Sequence, residues 1–190
     1  MKKLLICLIS ASLILCSGCA EKGSSASENS AKESSDVSST VAEGNGFDFD
    51  SAIKDITICG NKVSLPCTFR ELGNGFRYDS PIESEEQNYM FTTLRYGETD
   101  IGVIYLELSS SGNYDDSKII SLVLNSHSDS TIKGVGTASS EKDIIAALGD
   151  DFVKNDLTID YGSEEEGLVR ILMNSVTNTP SSITIMLPRE

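Results

Sequence analysis

The chain is poor in the residue types that several common functions need. Its 190 residues include no tryptophan, one histidine, and 15 lysines and arginines against 29 aspartates and glutamates, so the formal net charge is −14 at pH 7. Nucleic acid is therefore not an expected partner, because its phosphates attract basic surfaces. With 15 glycines and 4 prolines the composition also excludes a collagen-like chain, and a hydrophobic content of 39% can supply the core of one ordinary globular domain.

Motifs for metal and cofactor chemistry are scarce as well. His127 is the only imidazole, whereas zinc sites draw on several clustered His and Cys residues. The pair Gly134-Val-Gly136 continues into Thr-Ala-Ser-Ser, which is neither a Walker loop nor a dinucleotide-binding pattern. The acidic runs lack the ordered ligand spacing of a calcium loop: Asp115-Asp116, Asp150-Asp151 and Glu164–Glu166. We expect no metal and no cofactor.

Residues 1–18 have the pattern of an export signal. Lys2 and Lys3 are followed by an apolar run from Leu4 to Leu15. This run is shorter than the ~20 residues that a membrane-spanning helix needs. A short basic start before a short apolar run is typical of a signal peptide.

A candidate lipid-attachment motif ends this run. The residues Cys16-Ser-Gly-Cys19 resemble the lipobox of bacterial lipoproteins cleaved by the type II signal peptidase, although Cys16 stands where that family prefers leucine. The resemblance implies that Cys19 becomes the first residue and carries acyl chains such as palmitate. Those chains would anchor the protein to the extracellular face of the membrane. A plain secretory signal without lipid is the alternative.

Residues 19–46 are expected to join that anchor to a folded domain. Beyond Cys19 the segment is rich in serine, contains no aromatic residue and has only Val37 and Val41 as β-branched aliphatic residues. Such a segment cannot bury enough apolar surface to offset the entropy of ordering it. The composition predicts a disordered tether, followed by a single domain over residues 47–190.

Short runs with apolar residues at every second position fill most of residues 47–190. The runs Ile56–Cys59 and Lys62–Leu65 flank Gly60-Asn61 and predict a hairpin. Further strands are predicted at 90–96, 101–108, 118–125, 157–161, 168–174 and 183–187. Because this pattern puts one face of each strand on a core, the sequence predicts an α+β fold with a mainly antiparallel sheet.

Two short helices are predicted on one face of that sheet. Ser140–Leu148 begins with a serine that can cap the helix, has an acid three residues later and is followed by Gly149. Thr68–Leu72 is a weaker counterpart that ends before Gly73.

A similar motif follows each predicted helix. Leu72-Gly-Asn-Gly-Phe76 and Leu148-Gly-Asp-Asp-Phe152 each precede several strand-like runs. The match suggests a tandem duplication of a helix-plus-sheet unit, with halves at 47–126 and 127–190. A chance match of so short a motif is the alternative.

Two stretches carry a resemblance to known proteins. Residues 132–149, from Ile132-Lys-Gly-Val-Gly to Ala-Ala-Leu-Gly149, look like the start of the repeat in β-lactamase-inhibitor-protein-like domains and small envelope lipoproteins. Residues 58–68 are similar to an opening motif of uncharacterised lipoproteins from Gram-positive anaerobes. The resemblance implies a sheet with helices on one face and a free opposite face. It implies no inhibitor function, because no target-contacting residue of that family can be matched here.

Cys59 and Cys67 are the cysteines that remain beyond Cys19. An exported protein permits a disulfide. However, a hairpin between them would take Cys67 beyond the Cα separation of roughly 4.4–6.8 Å that a disulfide requires. Two free, partly buried thiols are favoured, and the bridge stays open as the alternative.

Period two also predicts which residues point away from the core. If Ile104, Leu106, Leu108, Ile120, Leu122 and Leu124 face inward, then Val103, Tyr105, Glu107, Ile119 and Val123 face outward, which is an unusually apolar set for a solvated surface. We expect Phe91 to join them on a neighbouring strand, with Arg95 or Arg170 at the rim. The alternative is that the N-terminal hairpin covers this set and makes it core.

These observations favour a non-catalytic binding or interaction module for a protein or peptide partner at the cell envelope. Exposed aromatic and arginine residues on a rigid sheet are typical of recognition surfaces. The alternative is a surface hydrolase that uses His127, which lies in Ser126-His-Ser-Asp129 just after a predicted strand.

Overall fold

The computed structural model describes residues 46–84, 88–107 and 109–188. All of them belong to a compact unit that runs from Val41 to Glu190. The predicted export signal, Cys19 and the predicted tether up to residue 45 lie outside the described residues, and so does Leu108.

Strands dominate the described part of the chain. Its two α-helices are α1 (Phe49–Ala52) and α2 (Glu141–Leu148). The strands are β1 (Ile56–Ile58), β2 (Asn61–Val63), β3 (Phe76–Tyr78), β4 (Ile82–Ser84), β5 (Tyr89–Tyr96), β6 (Thr99–Glu107), β7 (Ile119–Asn125), β8 (Thr131–Ile132), β9 (Val135–Gly136), β10 (Val153–Asn155), β11 (Thr158–Ser163), β12 (Gly167–Met173) and β13 (Pro180–Met186). Short 3₁₀ helices occupy Phe69–Leu72, Tyr114–Asp116 and Ser126–Ser128.

One large antiparallel sheet organises the domain. Its nine strands run in the order β10-β11-β12-β13-β7-β6-β5-β3, and β4 also pairs with β5. The central pair joins β7 to β13, with Leu124 opposite Ile183 and Leu122 opposite Ile185. The predicted α+β class with a mainly antiparallel sheet is confirmed, with strand far more abundant than helix.

A second layer covers one face of the large sheet. It contains a small sheet in the order β2-β1-β8-β9, together with the helices. Ile56 and Ile58 of the small sheet and Ile144 of α2 belong to the same buried cluster as Ile104 and Ile185 of the large sheet. The apolar side chains between the two layers therefore form one core, and burying them supplies the main driving force for folding.

The N-terminal hairpin turns one residue earlier than the sequence suggests. Ile58 pairs with Asn61, so the turn consists of Cys59 and Gly60 rather than Gly60 and Asn61. Both turn residues have positive φ, 50° and 78°, as a two-residue hairpin turn of the right twist requires. The Asn61 side chain stabilises the turn by donating to the carbonyls of Ile58 and Cys59, at 3.3 and 3.1 Å.

The predicted helices differ in kind. Glu141–Leu148 is α-helical, whereas Phe69–Leu72 forms only a 3₁₀ helix, because this short segment ends at Gly73 before a second α-helical turn can form. Both begin with a reciprocal capping box and end at a glycine with φ near 98°. Helix α1 was not predicted; its signal in the sequence is the capping side chain of Asp48, which accepts from the Ser51 N–H.

The sequence assigned Ile119 and Ile120 to the wrong faces of β7, because it predicted Ile120 inward and Ile119 outward. Ile119 is fully buried, whereas Ile120 is only half-buried. The reason is an irregular register between β6 and β7, where Tyr105 pairs with Ser121 but Leu106 pairs with Ile119. The extra residue at this bulge reverses the alternation of β7 beyond it, which period two alone cannot predict.

Candidate binding face

We call the surface of the large sheet that points away from the core the outer face. Most of the predicted site residues lie on it. Pairing sets Val103 opposite Val123 and Phe91 opposite Tyr105. Directly paired residues share a face of the sheet. On the far side of β7, Val123 pairs with Thr184, which pairs with Arg170. A continuous row therefore crosses the sheet from Val103 on β6 to Arg170 on β12, and Phe91 and Tyr105 lie in the neighbouring row.

Three aromatic side chains form a cluster at one side of this row. The ring of Tyr105 is stacked on that of Phe91, with centroids 5.7 Å apart, and meets that of Tyr89 edge to face at 5.9 Å. All three residues are half-buried. Side chains stand nearly perpendicular to a sheet, so rings stacked on one another turn their edges, rather than their faces, outward.

The outer face continues beyond the predicted residues. Ile82 pairs with Phe91 and is 59% exposed, and Leu172 is 39% exposed. Val153, at the far edge, is 60% exposed. These three residues and Tyr89 were not predicted, although Tyr89 continues the period-two pattern back from Phe91.

The N-terminal hairpin lies on the core side of the sheet. Its residues Ile56, Ile58 and Val63 are buried members of the core cluster. Val103, Tyr105 and Val123 are half-buried and do not belong to that cluster. Within the described residues, these side chains are therefore shielded mainly by one another.

Arg170 is bound to a carboxylate of its own chain. Its Nε and Nη2 donate to the two carboxylate oxygens of Asp160, each at 2.9 Å. The hydrogen bond to Asp160 is the main cause that raises the pKa of Arg170. The sequence suggests Arg170 as an anchor for a partner's carboxylate. Arg170 could bind that carboxylate only beside Asp160 or after releasing Asp160.

Arg95 is held less firmly. Its Nε lies 2.8 Å from Asp100 Oδ1 and 3.2 Å from Asp79 Oδ1, but the direction of the N–H satisfies hydrogen-bond geometry with neither oxygen. The contact is therefore one of charge without a directed bond. Of the two arginines, Arg95 is the one that could be redirected at lower cost.

The two cysteines are free thiols away from the outer face. Cys59 donates to the Ser128 carbonyl at 3.0 Å, and burial is the main cause that raises its pKa. Burial, assisted by the charge of Glu71, raises the pKa of Cys67 to about 11. Because the thiolate is the reactive form, both thiols are poor nucleophiles at neutral pH.

His127 is exposed in the 3₁₀ helix Ser126–Ser128. Its backbone N–H donates to Asn125 Oδ1 at 2.8 Å. Among the described residues its imidazole makes no hydrogen bond to a carboxylate, serine or cysteine, and no group of three or more His, Cys, Asp and Glu side chains is placed to hold a metal ion. The geometry thus offers the hydrolase alternative no support.

A cleft in the described residues lies elsewhere, beside the 3₁₀ helix Phe69–Leu72. It measures about 420 Å³ and is lined by Arg70, Arg77, Tyr78 and Asp115, among others. Arg70 Nε lies 3.0 Å from Asp116, and Tyr78 donates to Asp115 at 3.1 Å. Its polar groups therefore bind one another, and the cleft has no unpaired charge to offer a ligand.

The comparisons identify no relative. No protein-family model, no curated protein and no solved structure matches the chain. None of the helices in the described ranges is long and apolar enough to cross a membrane.

Proposed function

We propose that this protein is a lipoprotein, anchored through Cys19 to the extracellular face of the cell membrane, and that its domain is a non-catalytic module that binds a protein or peptide through the outer face. The anchor rests on the lipobox-like residues 16–19. The binding role rests on the residues of the outer face.

The aromatic cluster is the observation that carries the binding role. Tyr89, Phe91 and Tyr105 lie on an antiparallel sheet, beside Val103 and Val123, and none of these five residues belongs to the buried core cluster. Contiguous apolar patches on a soluble surface are typical of interaction sites. Tyrosine is among the residues that contribute most to binding energy at interface centres.

The distribution of charge favours a partner that buries apolar surface. The chain has a net charge of −14, yet, apart from Glu107 at the end of β6, the outer-face residues at the middle of the sheet carry no charge: Val103, Tyr105, Ser121, Val123, Ser182, Thr184 and Met186. Interfaces commonly combine an apolar centre with a polar rim. Arg95 and Arg170, each beside an acid, supply such a rim.

The rings of the aromatic cluster further narrow the ligand class. Sugars bind by stacking on the flat face of an aromatic ring, but Phe91 and Tyr105 are stacked on each other at an interplanar angle of 28°. Ring edges instead fit between the side chains of a protein surface. This supports a polypeptide ligand.

We also propose that the outer face arose by duplication of a helix-plus-sheet unit. β3, β5, β6 and β7 form one half of the sheet, and β10, β11, β12 and β13 form the other half in mirrored order. Each half is preceded by a capping box, at Thr68 or Ser140, and a glycine with φ near 98°. This correspondence supports the duplication beyond the short sequence match.

The anchor is tested on the full chain expressed in a bacterium that processes lipoproteins. We expect mass spectrometry of the mature N-terminus to find Cys19 as an acylated first residue. The control is Cys19→Ala, which should abolish acylation and release the protein from the membrane. An unmodified N-terminus at another position would show that the lipid anchor is wrong.

The binding role is tested by capture from cell-envelope extract, comparing the wild-type chain with Tyr105→Ala. Truncation of a central interface tyrosine should weaken capture by ~2 kcal/mol or more. Val176→Ala is the control, because Val176 is exposed in the turn before β13 and lies outside the outer face. Equal capture by all three proteins would contradict the proposal.

A further inference from the structure

We propose that the outer face packs against the outer face of a second copy of this chain, forming a two-fold dimer of stacked sheets. This inference rests on the proposed binding function and names its partner. Three observations lead to it: the size of the face, the placement of its charges and the residue at its centre.

The face has the size that a stable dimer needs. Seven adjacent strands, from β10 to β5, span ~34 Å at ~4.8 Å per strand, and the longer strands of about seven residues extend ~23 Å. The product is ~800 Å², which is the area that each partner contributes to a standard protein interface. Two antiparallel sheets can pack in this way, with their strands aligned to within about 30°.

The charges of the face are complementary to themselves. Arg170, with Asp160, lies on β12 and β11, and Arg95, with Asp79 and Asp100, lies on and beside β5. β12 and β5 are each two strands from β7 in the sheet. A two-fold axis that runs along β7, midway between the two sheets, therefore brings β12 of one copy over β5 of the other.

This symmetry places each arginine near carboxylates of the opposite copy. Arg170 would approach Asp79 and Asp100, and Arg95 would approach Asp160. The chain is strongly acidic, so two copies repel one another over most of their surfaces. The outer face limits that repulsion, because its middle is uncharged apart from Glu107 at the end of β6 and both rims carry charges of both signs.

Val123 marks the centre of the contact. It lies on β7 in the row that joins Val103 to Thr184. In a two-fold interface a residue on the axis meets its own equivalent. Val123 should therefore face Val123 of the second copy, and the ring edges of Tyr105 should insert beside it.

The test is site-specific cross-linking of the full chain in membranes with bismaleimidoethane, a short reagent that joins two thiols. The variant Val123→Cys should give a cross-linked dimer. The matched control is Val153→Cys, because Val153 is more exposed but lies four strands from the axis, so that its two copies would be ~38 Å apart. The wild-type chain, which retains Cys59 and Cys67, sets the background.

Dimer formation should also depend on the aromatic cluster. Adding Tyr105→Ala to Val123→Cys should weaken self-association about thirtyfold, equivalent to ~2 kcal/mol. Val103→Cys, one strand from the axis, provides a second position in case Val123→Cys does not fold. Equal cross-linking at Val153 and Val123, or no dimer at either Val123 or Val103, would overturn the inference.

These outcomes separate the inference from the proposed function. If the cysteine variants stay monomeric while capture from envelope extract still requires Tyr105, the second copy is the wrong partner and the binding function stands. If capture is also independent of Tyr105, both proposals are wrong.

Discussion

Arg170 donates two parallel hydrogen bonds to Asp160 across the pair β11 and β12, each 2.9 Å long. The Asp160 side chain is only 12% exposed, whereas that of Arg170 is 43% exposed. A nearly buried carboxylate depends on its partner more than a solvated guanidinium does, because a buried charge without a partner loses its hydration without compensation.

We expect Arg170→Leu to lower the free energy of unfolding by about 1–3 kcal/mol, since it leaves Asp160 unpaired. The double variant Arg170→Leu/Asp160→Asn should recover part of that loss, as measured by urea denaturation. Arg77→Leu is the control, because its partner Glu98 is 87% exposed and such a pair contributes at most ~1 kcal/mol. Equal losses at Arg170 and Arg77 would contradict this account.

Stability should fall at alkaline pH, and Cys67 and Tyr161 should be two of the contributors. The pKa of Cys67 is raised from 9.0 to about 11, and that of Tyr161 from 10.0 to about 12, in both cases mainly by burial. The unfolded chain releases these protons at lower pH than the folded chain does. The stabilisation is thus complete below the unfolded pKa and is lost as pH rises through the folded pKa.

The contributions of Cys67 and Tyr161 can be measured by unfolding titrations from neutral pH to about pH 12. Cys67→Ala should reduce the loss of stability between pH 9.0 and about 11, and Tyr161→Phe should reduce the loss between pH 10.0 and about 12. At neutral pH Tyr161→Phe should still cost ~1 kcal/mol, because the Tyr161 hydroxyl donates to the Gly149 carbonyl at 3.0 Å. A pH profile identical to wild type in either variant would rule out the corresponding assignment.

Gly102 allows β6 and β7 to approach closely. Its φ is 154°, and a Cβ at this position would lie 2.0 Å from the Val123 carbonyl oxygen. Since that oxygen belongs to the backbone of the neighbouring strand, Gly102→Ala should destabilise the domain by about 3 kcal/mol. Gly97→Ala, where a Cβ would meet nothing within 4 Å, should cost only the ~1 kcal/mol of its left-handed backbone. Thermal denaturation compares the two.

Tyr105 contributes to folding as well as to the proposed binding. Its ring contacts with Phe91 and Tyr89 are each worth about 0.5–1.5 kcal/mol. We expect Tyr105→Ala to lower the free energy of unfolding by ~1–2 kcal/mol, and Tyr105→Phe to leave it nearly unchanged. A double-mutant cycle with Phe91→Ala measures the coupling; zero coupling would mean that the two rings do not interact.

Local sequence signals predicted most of the elements that rest on local interactions. The capping box at Ser140 and the glycine at 149 marked α2 to within one residue of its start. The long strands β5, β6, β7, β12 and β13 were predicted near their observed bounds because alternation over five or more residues is a strong signal. Three-residue strands such as β3 and β10 are too short to show a period, and they were missed.

The sequence predicted on which side of their strands the site residues lie. It did not predict all of their contacts. Period two placed Val103, Tyr105 and Val123 on one side of their strands. It could not anticipate that Arg170 would be bound to Asp160, since these residues meet only through the register of β11 with β12. Nor could it place Ile119, because the bulge beside Tyr105 arises from how β6 and β7 fit together.

The sequence by itself thus determined where the chain can form strands and helices, which side of most strands is apolar, and that the protein is acidic with a single histidine. Only the tertiary structure decided that β7 and β13, whose paired residues Leu124 and Ile183 are far apart in the chain, join two half-sheets into one. Such pairing depends on the core that both strands bury and on the closure of the long connection between them. Neither is encoded in any local pattern, and yet that pairing creates the continuous outer face.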